Sequence, residues 1–123
     1  MMTNLLALAT SRLAAISTTY PVFPADYLGD LPRPPFVKFE LLVTKVSLLV
    51  DTYSVTGQLV FQVYTSAGSG PESPFMVAEY IEQQLSRTNN QGLTVYHGGF
   101  VPVDSDKSYN RHDLSLNLTY YGD

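Results

Sequence analysis

The chain contains no cysteine, so disulfide bonds and thiolate metal sites are excluded. Charge is also scarce: 15% of the 123 residues are charged, 11 acidic against 7 basic, for a net charge of −4. A protein that grips phosphate needs a basic patch, whereas Lys38, Lys45, Lys107 and the arginines are scattered along the sequence. Tight, direct nucleic-acid binding is therefore not expected. Long apolar runs are missing too. Leu5-Leu6-Ala7-Leu8-Ala9 is too short to span a bilayer, and no basic residue precedes it, the first being Arg12. Neither a signal peptide nor a membrane span is expected, and a soluble cytoplasmic subunit is.

An apolar fraction of 45% with so little charge fits a folded domain rather than a disordered chain. Its length suits one domain over residues 1–123, large enough to bury a core without staples. The first expected element is a helix over residues 3–17. Thr3 or Asn4 would cap it, Leu5, Ala9, Leu13 and Ile16 would form a stripe broadened by Leu6, and Arg12 would snorkel at the stripe's edge. Residues 18–35 follow as an arm punctuated by Pro21, Pro24, Pro32, Pro34 and Pro35, where neither a helix nor a strand ladder should persist. Its Tyr20, Val22, Phe23, Tyr27 and Leu31 need cover, which makes them candidate subunit-interface residues.

The remainder, 36–123, reads as a sheet with one helix over 73–86. Val37, Phe39, Leu41 and Val43 alternate against Lys38, Glu40, Leu42 and Thr44, and the phase slips at Lys45 so that Val46, Leu48 and Val50 take over, which implies a bulge or bend near Thr44–Lys45. A second strand, Gln58 to Thr65, is apolar on both faces and is expected to be central and covered on both sides. Pro74 suits the helix start, with Val77, Ala78, Ile81 and Leu85 inward and Glu79, Glu82 and Gln83 in water. The third strand is Leu93 to His97, with Gly98-Gly99 as a bulge or bend. After a polar loop, Asp104 to Asp113, a fourth strand alternates Leu114, Leu116, Leu118 and Tyr120 with Ser115, Asn117, Thr119 and Tyr121. The expected fold is α+β, ordered α-β-β-α-β-β, with a mostly antiparallel four-stranded sheet packed by two helices. Parallel, adjacent second and third strands would need a right-handed crossover.

Chemistry-bearing motifs are sparse. Gly68-Ser69-Gly70 precedes a helix, but Pro71 and Pro74 remove donors and no Lys-Ser/Thr pair follows, so a turn is the better reading than an anion cradle. Asp104-Ser105-Asp106 has a calcium-loop look without the glycine or the closing glutamate that such a loop needs. His97 and His112 are the only histidines. His112 and its neighbour Asp113 would face opposite sides of a strand, and nothing supplies an activated nucleophile. His97 is expected to be a half-buried sheet residue. No catalytic residue, metal or cofactor is expected.

Several stretches resemble the tail terminator family of long-tailed bacteriophages. They are the N-terminal Leu/Ala helix, the arm segments Tyr20-Pro21-Val22-Phe23-Pro24 and Arg33-Pro34-Pro35-Phe36-Val37, the strand Gly57-Gln58-Leu59-Val60-Phe61-Gln62-Val63-Tyr64 with the Gly68-Ser69-Gly70 turn, and the closing Leu114–Tyr121 strand. The chain departs from that pattern at Ala25-Asp26-Tyr27, where an asparagine before an aromatic residue is expected, and in an unusually apolar Val46–Val55 insertion. The resemblance implies a structural virion protein assembled in the host cytoplasm, a homohexameric ring at the head–tail junction. Its partners would be the tail tube protein and a head completion or connector protein, with DNA passing through the lumen without specific binding. A mildly acidic surface suits such a conduit. The polar loops then become candidate partner-docking sites, through Gly68, Ser69, Gly70, Asp104, Asp106, Lys107 and Arg111. Alternatives are another head–tail junction or tube subunit, a small-ligand-binding α+β domain, and an enzyme using His97, His112, Asp104 and Asp106.

Overall fold

A computed structural model describes residues 2–48, 52–66, 72–86, 93–103 and 109–122. The element order is α1 (Met2–Ser17), β1 (Val22–Pro24), β2 (Phe36–Leu48), β3 (Tyr53–Ser66), α2 (Glu72–Ser86), β4 (Leu93–Val103) and β5 (Tyr109–Gly122). The fold is α+β, with two helices and a mostly antiparallel sheet. The sheet has five strands rather than four, in the order β1-β2-β3-β5-β4.

The added strand lies where the prolines argued against a ladder. β1 pairs in parallel with β2, Val22 opposite Val37 and Pro24 opposite Phe39. Parallel pairing at an edge needs hydrogen bonds only from alternate residues, and the prolines fall where their missing N–H is not required. The Pro21 carbonyl accepts from the Val37 amide at 2.9 Å, and the Ala25 amide donates to the Phe39 carbonyl at 2.9 Å.

Both glycine-linked irregularities are present. β2 and β3 pair antiparallel with a register shift between Val43 and Lys45, as the phase slip requires. Gly57, opposite Val43, allows it: a Cβ there would overlap the Leu42 carbonyl oxygen. On the other edge, β4 shifts register between His97 and Gly99, and the strand continues to Val103 instead of stopping at His97. A Cβ at Gly98 would stand 2.7 Å from the Ser115 carbonyl oxygen. β5 likewise begins at Tyr109, taking in residues expected in the polar loop. β3 and β4, the second and third strands of the sequence reading, are not neighbours, because β5 lies between them.

The apolar alternation of β3 and β5 builds the core. Leu59 pairs with Leu116, Phe61 with Leu114 and Gly57 with Leu118, so these positions share one face of the sheet. Leu59, Phe61, Val63, Leu114, Leu116 and Leu118 are buried there against Val77, Ala78, Ile81 and Leu85 of α2 and Leu13 and Ile16 of α1. Leu5 and Leu6 of the expected α1 stripe lie outside the described side chains, and α1 begins at Met2, which places Thr3 and Asn4 inside its first turn rather than at its cap.

Arg12 does not snorkel. It is buried and donates to the Leu85 carbonyl at 3.4 Å, near the C-terminal end of α2, where a cation complements the helix dipole. Among the described residues both helices pack on one face. The central strand β3 is therefore covered on one side, and its opposite face keeps Gln58, Val60 and Gln62 half-exposed.

Phe61 is fully buried, so Phe61→Ala should destabilise the fold by about 3–5 kcal/mol. Gly57→Ala should cost about 1–3 kcal/mol through the forced shift at the bulge. Denaturant titration of both variants checks these values. A Gly57→Ala protein as stable as wild type would mean that the bulge can relax around a methyl group.

Candidate functional site

The β4 bulge carries His97 toward α2, where its Nδ1 pairs with the Glu82 carboxylate. His97 is exposed rather than half-buried, and a polar contact this open to water contributes little to stability. Glu82 shares its helix face with Phe75 and Glu79, at spacings of seven and three residues. The result is a groove of about 360 Å³ between α2 and β4, whose lining includes Phe75, Glu79, Glu82, His97 and Phe100. A depression of about 220 Å³ adjoins it and shares Glu82 and His97. On the other flank of α2, Met76, Glu79, Tyr80 and Tyr20 line a further hollow of about 310 Å³. Phe75 and Met76 are 59% and 64% exposed, so the start of this helix presents apolar groups to solvent. The periodicity of α2 shows Phe75, Glu79 and Glu82 on one side. It cannot show that a bulge fifteen residues further on brings His97 to them.

His112 lies under the same groove. Its ring stacks on Phe100 with centroids 5.1 Å apart, and its Nδ1 is buried without a hydrogen-bond partner. Asp113 faces the opposite side of the sheet, as adjacent strand residues must, and accepts two hydrogen bonds from Arg111 at 3.0 and 3.2 Å. Arg111 is therefore a strand residue engaged with its own chain, not a loop residue open for docking. Gly68, Ser69, Gly70, Asp104, Asp106 and Lys107 lie outside the described residues. No group of three or more metal-ligating side chains occurs among the described residues, and no helix there is long and apolar enough to cross a membrane.

The arm candidates turn out to be covered largely by their own chain. Tyr20 meets Tyr80 edge-on at 5.5 Å and, with Val22, packs against the core. Phe23 stacks on Tyr27 at 4.7 Å and meets Phe36 edge-on at 6.3 Å; Phe36 in turn stacks on Tyr64 at 4.7 Å. The premise that these rings lack cover within the chain is thus corrected. Leu31 remains exposed, and Leu28, absent from the sequence-derived set, is 98% exposed. Another uncovered strip lies on β2 and β3 beyond the helices. Val43, Val46, Leu48 and Tyr53 share the helix-side face by register, and all four are exposed, Leu48 to 71%. The described parts of the apolar insertion, 46–48 and 53–55, form the extended ends of these two strands.

No protein-family model matches the chain, and no curated protein matches it.

His112 offers a test of the groove's packing. Burial pushes its imidazole below the ordinary histidine range, against a smaller opposing effect of the Asp113 carboxylate. The unfolded chain then binds more protons than the folded one just below the unfolded value of about 6.5, so stability is full above that value and falls as pH drops through the folded value. His112→Phe removes this proton uptake. From about pH 7 to about pH 5, the variant should lose less unfolding free energy than wild type. Parallel pH dependences in denaturant titrations would show that His112 contributes nothing to acid sensitivity.

Proposed function

We propose that the chain is a structural virion subunit, a tail terminator whose ring caps the head-proximal end of a tail tube and joins it to the head connector. The sequence resemblance suggests this reading, and one observation on the fold supports it: the sheet is much longer than the helical layer that covers it. β3 has 14 residues and α2 has 15. At about 3.3 Å per strand residue and about 1.5 Å per helix residue these span about 46 and about 22 Å. The part left uncovered is the end of β2 with the start of β3, where Val43, Val46, Leu48 and Tyr53 form an overhang, whereas β3 is buried on its helix side from Val55 onward. An apolar strip on a projecting pair of strands suits a subunit that completes its burial in an assembly. The groove and the His97–Glu82 pair suit docking better than turnover, since among the described residues no serine, threonine or cysteine lines them to be activated by the imidazole.

In this reading the overhang seats on the tube or head partner, and the polar loops through Gly68–Gly70 and Asp104–Lys107 contribute to the same docking. A related station in the neck or tube would use the same features with different neighbours. DNA would pass the acidic ring without specific contacts.

Leu48→Asp should leave the fold within about 0.5 kcal/mol of wild type, because the side chain is already solvated. Tails made with it should be overlong or unjoined to heads. Lys107→Glu should act in the same direction; Arg111→Glu is a poorer probe because it would break the pair with Asp113. Electron microscopy of the particles reads both variants. Normal-length, head-joined tails from the two together would remove these surfaces from the docking role, and a monomer in the intact particle would refute the ring.

A further inference from the structure

We infer that the chain associates head to tail with a second copy of itself, the arm between β1 and β2 of one subunit seating in the α2–β4 groove of the next. This rests on the assembly reading above and names the contact within it. The arm is anchored at both ends on neighbouring strands at one edge of the sheet, and it presents Leu28, Leu31 and Arg33 to solvent. Leu28 has almost no cover in its own subunit, and Arg33 has no ion-pair partner among the described residues. At the opposite edge, the groove offers the exposed ring of Phe75, the half-buried ring of Phe100, and the carboxylates of Glu79 and Glu82. Leucine side chains followed by a guanidinium on one side match aromatic walls rimmed by carboxylates on the other. Asp30 lies in the same arm, so the match is apolar first, and Arg33 fixes which way the arm enters.

The two patches cannot satisfy each other within one subunit. β1 and β4 are the first and last of five strands, four inter-strand spacings apart, or about 19 Å. Nor are they one self-complementary patch, so the contact is heterologous, and repetition of it closes a ring or extends a filament. His97 belongs to the acceptor side. Its pairing with Glu82 holds that carboxylate at the groove wall and leaves Glu79 as the nearer partner for Arg33.

Two variants test this without touching the core: an arm variant, Leu28→Asp with Arg33→Glu, and a groove variant, Phe75→Asp with Glu79→Arg. Each should remain folded by circular dichroism and weaken self-association at least about tenfold in sedimentation or native mass spectrometry. A one-to-one mixture is the decisive measurement. Each variant keeps one intact half of the contact, so the mixture should form a heterodimer and stop there. Wild-type-like assembly by either variant, or a mixture that stays monomeric while wild type assembles, overturns the contact and leaves the ring reading standing. If Leu48→Asp alone abolishes self-association, the strand overhang is the self-contact and the arm is not. A wild-type chain that is monomeric at every concentration overturns the contact directly. A head-to-tail dimer or filament that never enters tails would sink the terminator reading and leave the contact intact.

Discussion

The alternation shared by β3 and β5 is the constraint from which the rest of the molecule follows. Leu59, Phe61 and Val63 pair with Leu116, Leu114 and His112, which brings one dense apolar strip to one side of the sheet. That strip must be covered, and α2 lies on it with Val77, Ile81 and Leu85 facing inward. The chain between β3 and β4 has to pass over β5 to place α2 there, so β4 ends at the far edge with β5 inserted as its neighbour. α1 then packs beside α2 with Leu13 and Ile16, and Arg12 satisfies a carbonyl near the end of α2. A buried guanidinium is tolerable because its charge sits at the negative end of a helix dipole and its stem packs as an apolar group.

Much of this was legible in the sequence because it depends on local period. The β2 slip, the inward faces of β3, α2 and β5, and the separation of His112 from Asp113 all follow from spacing alone. What was not legible depends on partners distant in sequence. β1 exists because Phe36–Phe39 of β2 offers a free edge, which no propensity of Pro21-Val22-Phe23-Pro24 announces. β4 outlasts Gly98-Gly99 because Ser115 accepts a bulge opposite it. The candidate groove was hidden for the same reason. Its helix side was readable at Phe75, Glu79 and Glu82, whereas the approach of His97 and Phe100 is a product of that bulge.

The uncovered face of the sheet has its own order. At one end Phe23, Phe36, Tyr64 and Tyr109 form a chain of ring contacts, so Phe36 and Tyr64 are buried although no helix lies over them. Lys38 reaches over Tyr64, with its Nζ 5.9 Å from the ring centroid. Burial raises the proton affinity of the Tyr64 hydroxyl, which donates to Gln62 at 3.0 Å. Further along, Gln58 bonds Asn117 across the strands at 3.2 Å. These are neutral or internally paired groups. Leu42, Tyr96, Val101 and Tyr121 are exposed among them, so apolar surface is left on this face as well as on the arm, the α2 groove and the strand overhang.

The sheet edges decide how those patches can be used. β2 beyond Phe39 has no outer neighbour among the described strands, and β4 has none along its length. Bare edges invite strand addition by another copy, yet both carry features that resist it. β2 bulges between Val43 and Lys45 and places a lysine there. β4 bulges at Gly98 and carries Pro102, which has no amide to donate. Continuous pairing across subunits would have to cross a bulge on each side and lose a hydrogen bond at the proline. Side-chain docking needs neither, and it allows a defined angle between neighbours where sheet extension would favour an open-ended stack. An assembly that must close after a fixed number of subunits is better served by the first arrangement, because the docking angle is set by the shapes of an arm and a groove.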